Sequence, residues 1–249
     1  MPGSITDLPP KPCPLAHIRI MVSPMEIVND LLIGTWGWSD NGCCTGYYPD
    51  DMPRDWQLCY YSNLHRAVIL PEDVWHHADD SDLEQWLEDT DPGFVFVPAI
   101  GPAELDEISN GRLPDWPAIK TLKDRIGCLL AMPSAAQLDT LQWLEPLKTN
   151  IPLAVWLPET VDPQLRDKAV KRLCQTGASV LWDTRTASQP EICGDWLLAI
   201  AEAQEPAKLR SLIERLGQWM SPDKHAVMVF TGQPVSYTHL TLPTKVLVC

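Results

Sequence analysis

The chain has 249 residues, enough for one large α/β domain or two small ones, and 45% of them are hydrophobic. Its formal net charge of −14 opposes a phosphate backbone, and no Lys/Arg cluster offsets it, so no nucleic-acid partner is expected. No apolar run reaches the roughly 18 residues of a membrane span, and the proline-rich start lacks a charged-then-apolar leader pattern, so no membrane association and a cytoplasmic location are expected.

Twenty-four prolines cut the chain into short elements. The apolar run 31–38 reads as a strand that stops in "GTWGWSD". Residues 53–64 follow as a helix with Trp56, Tyr60 and Leu64 on one face. Residues 67–70 form a strand. Ser81 and Glu84 then make a capping box for a helix striped by Leu83, Trp86 and Leu87. Residues 94–97 form a strand, 117–126 a helix and 127–132 a strand. Ser134 and Gln137 make a second capping box ahead of Leu138, Leu141 and Leu144, and Pro146 limits that helix.

The second half keeps the rhythm. Residues 153–157 form a strand, and Asp162 caps a helix with Pro163 at its first position and Gly177 just past its end. Strands follow at 179–182 and 196–200, then a helix over 206–220 and an eighth strand over 226–230. Eight short apolar strands, mostly followed by helical segments, predict βα units and a parallel sheet buried on both faces. That count favours a closed (β/α)8 barrel. An open doubly wound sheet is the rival, weakened because no glycine-rich phosphate fingerprint follows the first strand.

The eight cysteines do not demand a disulfide framework in a chain of this length. Cys128 in a strand and Cys174 on a helix read as small buried hydrophobes. The vicinal pair Cys43–Cys44 has no ligand partners at metal spacing. Both ends look foreign to the domain. Residues 1–30 read as an N-terminal extension, with either a natural start at Met21 or Met25 or a short strand over 17–22. "VSYTHLTLPTK" near the end resembles the in-frame translation of a transposase adapter used for sequencing libraries. Residues 235–249 are therefore set aside as a non-native tail, His239 and Cys249 with them. The expected barrel spans 31–232 and lacks its last helix.

"IGTWGWSD" followed by "GYYPDDMPRDWQLCYYSNL" resembles the YecE-like family (domain of unknown function 72) through Ile33, Gly34, Thr35, Gly37, Trp38, Ser39, Tyr48, Pro49, Tyr60 and Tyr61. The resemblance continues weakly to "HAVMVFTG". It implies a TIM-like barrel and brings no established activity. Trp38 and Ser39 are then expected at the C-terminal face, where barrel ligands bind. Trp38 serves equally as a packing plug in that position.

Against the family pattern, Ile69 stands where the second strand usually has Glu, Pro71 where it has Asn, and Trp75 at the following Tyr. The third strand lacks its usual final lysine. In the fifth strand Trp156 replaces Glu, Pro158 replaces Arg and Glu159 replaces His. Charged groups at a barrel mouth can hold an anion or a metal, or move protons; tryptophan and proline cannot. Glu72, Asp73, Glu159 and Asp183 remain, with Arg54 and Arg185 in loops. Glu159 and Asp183 are the candidate catalytic acids. His76, His77, Asp79 and Asp80 supply metal-ligand types, but adjacent histidines diverge and the acids suit a helix start, so no metal is assigned. No cofactor is assigned either.

Two functions remain open. One is a degenerate, non-catalytic barrel holding a small ligand or partner at a mouth formed by Trp38, Ser39, Tyr48, Trp75 and Trp156. The other is a hydrolase or lyase using carboxylates at the C-terminal face. The sequence sets no oligomeric state.

Overall fold

In the computed structural model the residues described are 31–39, 47–112, 114–147, 150–158, 160–185, 190–191, 193–202, 211–216 and 224–231. Their strands are β1 (Leu31–Trp36), β2 (Ala67–Leu70), β3 (Val95–Ile100), β4 (Leu129–Ala131), β5 (Leu153–Val155), β6 (Ser179–Val180), β7 (Trp182–Asp183), β8 (Trp196–Glu202) and β9 (His225–Thr231). All pair in parallel, in the order β6-β5-β4-β3-β2-β1-β9-β8-β7. The two ends of that order, β6 and β7, are one stave split at Leu181. β6 pairs with β5 and β7 with β8, while the Leu181 N–H donates to the Val155 carbonyl at 2.9 Å. The nine segments thus make eight staves, and the sheet closes on itself as the alternation of apolar runs and helices predicts.

Eight α-helical segments lie among the described residues outside the staves: α1 (Gln57–Ser62), α2 (Glu72–His77), α3 (Asp80–Glu88), α4 (Pro102–Ser109), α5 (Pro117–Leu122), α6 (Ala135–Thr140), α7 (Pro163–Gln175) and residues 211–216. α7 carries the predicted punctuation in full. The Asp162 carboxylate accepts from the Gln164 and Leu165 N–H groups, Pro163 occupies the first turn, and Gly177 takes a φ of +80°. The Ser134–Gln137 capping box closes α6 as expected.

Other local expectations need correction. The capping box of α3 is made by Asp79 and Asp82, two residues upstream of the predicted Ser81–Glu84 pair. The segment 53–64 divides into a 3-10 turn over Arg54–Trp56 and then α1. Helices α2 and α4 were not expected. β3 runs through Pro98, which has no N–H to give the ladder. Phe96 bridges Ile126 and Ala99 pairs with Leu130, so three steps along β3 face four along the next stave. The extra residue is a bulge at the place where proline cannot donate. Cys174 is half-buried and forms a disulfide with Cys193, rather than serving as a core hydrophobe. Cys128 is fully buried as read.

Alternate residues along the staves divide the core. One cluster, including Ile69, Val97, Ala99, Leu130, Leu198 and Val229, fills the barrel interior. Two others lie between barrel and helices: one from β2 to β6, built around Tyr61, Phe96, Trp143 and Leu173, and one behind β8 and β9. No described helix is long and apolar enough to cross a membrane. Residues 1–30, the pair Cys43–Cys44, the tail 235–249 and the expected gap after the last strand all lie outside the described residues.

Candidate functional site

Because every stave is parallel, the residues that follow the strands gather at one face. The first of these turns is set by the β1 sequence. A Cβ at Gly34 would drive into the Ala67 carbonyl of β2, so glycine lets the two staves close. Thr35 faces outward and its N–H donates to the Tyr61 hydroxyl at 2.8 Å, which in turn donates to the Ala67 carbonyl at 2.8 Å. The Thr35 hydroxyl donates to the Gly37 carbonyl at 2.6 Å. Gly37 has a φ of +69°, and its N–H donates to the Ile69 carbonyl at 2.9 Å. The chain then turns outward and delivers Trp38 to the outer layer, edge-on to Trp86 with ring centroids 5.1 Å apart.

The sequence-derived mouth residues separate between two layers. Trp38, Tyr48 and Trp75 belong to the outer cluster and Trp156 to the barrel interior. Tyr48 is buried and its hydroxyl donates to the Trp38 carbonyl. Trp75 is buried, donates its indole N–H to the Ala99 carbonyl at 2.9 Å, and packs edge-on to Trp116. Ser39 is exposed. Trp156 meets Trp36, a residue that sequence reasoning passed over, with ring centroids 5.8 Å apart and planes inclined at 63°. Trp36 ends β1 and Trp156 follows β5, opposite staves of the eight. Their indoles therefore meet across the barrel at its C-terminal end, and both are only partly buried. Parity identifies Trp36: it lies two residues beyond Gly34 on the inward side, whereas Trp38 lies past the turn.

Among the described charges near this face, Asp183 and Arg185 engage each other. Asp183, at the end of β7, is buried and forms a two-point ion pair with Arg185, with Nε to Oδ1 at 2.9 Å and Nη2 to Oδ2 at 2.5 Å. Hydrogen bonding to that guanidinium holds the Asp183 carboxyl below the usual carboxylate range. Arg185 also approaches Glu202 at 3.8 Å. Glu159 lies outside the described residues. Of the acid–histidine cluster, Asp79 caps α3 and His77 Nδ1 hydrogen-bonds with the Asp73 carbonyl at 2.6 Å. His76 instead comes together with Glu72 and with Glu104 of the next βα unit, one donor atom of each within 4.8 Å of the others. A cavity of about 230 Å³ lies at the opposite, N-terminal face, lined by Leu144, Leu147, Ile151, Gly177 and Asp195 among others.

Comparisons with solved structures agree with this architecture. A DUF72 family protein from Thermotoga maritima MSB8 is similar at a TM-score of 0.60 and 17% identity, covering 82% of this chain and 92% of that one. A DUF72 family protein from Enterococcus faecalis V583 is similar at a TM-score of 0.55 and 11% identity, covering 83% and 92%. At these identities the likeness speaks for the fold alone. No curated protein sequence matches the chain. The family model described as "Protein of unknown function DUF72" matches residues 32–237, which span both the signature around Gly34 and Tyr61 and the closing strand β9, and the chain belongs to that family.

Proposed function

We propose that this chain is a non-catalytic member of its family that binds a small molecule, or a partner's side chain, on an aromatic platform at the C-terminal face of the barrel. The observation carrying this reading is the Trp36–Trp156 pair, which spans the barrel at the end where a ligand would enter. Trp156 occupies the place of a family glutamate, and Ile69, Pro71 and Pro158 occupy further places where the family pattern has polar or charged groups. Two half-exposed indoles offer flat apolar surface to a sugar or planar ligand, and no proton acceptor. Asp183 is held ionised by Arg185, a state suited to structure rather than to proton donation.

The direct test restores the missing groups. Ile69→Glu, Trp156→Glu and Pro158→Arg are combined, and ligand-induced thermal shifts and hydrolase activity are compared with the parent. The parent is expected to show thermal shifts with stacking ligands and no turnover. Turnover by the parent that is abolished by Asp183→Asn or Glu159→Gln would overturn the reading and establish the hydrolase or lyase alternative.

A further inference from the structure

We propose that Glu72, His76 and Glu104 form a binding site for a divalent transition-metal ion of zinc-like hardness on the C-terminal rim, between the second and third βα units. Glu72 opens α2 and His76 stands four residues later, so the two side chains share one face of the helix. Glu104 lies in the first turn of α4, directly after β3. One donor atom from each lies within 4.8 Å of the other two. Ligands of a tetrahedral zinc ion, each roughly 2.1 Å from the metal, stand about 3.4 Å apart. Small rotations of the two glutamate side chains cover the difference.

Each donor is placed by a different neighbour. Gly101 gives the Glu72 carboxylate its room: a Cβ there would overlap Oε2 and come within 3.1 Å of Cδ. The His76 ring packs on Trp75 with centroids 3.9 Å apart, and Trp75 is itself anchored to β3 through the Ala99 carbonyl. The Trp116 indole N–H donates to Glu104 Oε1 at 2.8 Å, which orients that carboxylate. Such outer partners are what hold metal ligands in register.

The donor set defines the ion. Two carboxylates balance a double positive charge. One imidazole favours zinc, cobalt or nickel over magnesium and calcium, which prefer all-oxygen shells. Three protein donors leave a coordination position open, and His76 is exposed, so water or an anionic ligand can reach the ion. This site does not depend on whether the barrel turns over a substrate.

The test uses the full chain, stripped with a chelator and dialysed. It is titrated with Zn²⁺ by calorimetry and with Co²⁺ by visible absorption. One equivalent should bind, and the cobalt spectrum should show the intense bands of a low-coordinate site. His76→Ala, Glu72→Gln and Glu104→Gln should each weaken Zn²⁺ binding by about tenfold or more. Gly101→Ala should do the same by displacing Glu72, and His77→Ala should leave binding unchanged. His76 is exposed, so its alanine variant keeps the fold, which circular dichroism checks. Failure to saturate at one equivalent, or equal binding by the parent and His76→Ala, would overturn the proposal.

Discussion

The turn joining β1, α1 and β2 and the rim of the barrel differ in how their polar groups are used. In the turn, Gly34, Thr35, Gly37 and Tyr61 are consumed by the fold: two staves brought close, a buried hydroxyl relaying between strands, and a left-handed residue that sends Trp38 outward. At the rim, Trp36 meets Trp156 across the opening, Asp183 meets Arg185, and Glu72, His76 and Glu104 converge on one another. The residues that carry the family resemblance most clearly are thus held by contacts within the fold. The groups of the proposed function lie at the stave ends instead.

Gly34→Ala should break the turn most severely. The new methyl meets backbone rather than a movable side chain, so a loss of about 3 kcal/mol or more is expected in urea denaturation. A loss under about 1 kcal/mol would show that the two staves have slack. His65 gives a second, pH-dependent measure of the same region. It packs against Tyr61 with centroids 4.6 Å apart, and burial lowers its pKa from 6.5 to about 4. The folded state therefore holds a neutral ring. As pH falls below 6.5, the unfolded chain takes up a proton that the folded chain refuses. Stability is complete above pH 6.5 and falls by about 3 kcal/mol on descending to pH 4. His65→Phe should flatten that slope, and an unchanged slope would place its origin elsewhere.

Tyr61→Phe is a smaller perturbation of the turn. It leaves the ring in place but strips the Thr35 N–H and the Ala67 carbonyl of a shared partner. A cost of about 2 kcal/mol is expected in thermal or chemical unfolding. A neutral outcome would mean that water enters the gap, and that the turn is less sealed than the rim.

The stave architecture was legible because each strand is a short apolar run and several helices carry explicit stops. Asp162, Pro163 and Gly177 mark α7 without ambiguity. Helix α4 was not legible: "PAELDEIS" is mostly polar outside Leu105 and Ile108, and Pro98 makes β3 look shorter than it is. At α3, aspartate at position 79 and serine at 81 are both good caps, and only the backbone decides between them. At the rim the limits are deeper. The spacing of Glu72 and His76 is local, but Glu104 joins them only because β2 and β3 are neighbours. Cys174 and Cys193 likewise meet through tertiary structure. Trp36 and Trp38 share one parity in the apolar run, and only the end of β1 at Trp36 separates the inward ring from the outward one.

The most direct test of the aromatic barrel mouth is a double-mutant cycle on Trp36→Ala and Trp156→Ala, read by chemical denaturation. Indoles meeting edge-to-face across the barrel should show a coupling free energy of about 1 kcal/mol beyond the sum of the single effects. Strict additivity would mean that the two rings do not couple across the barrel and would contradict the aromatic platform.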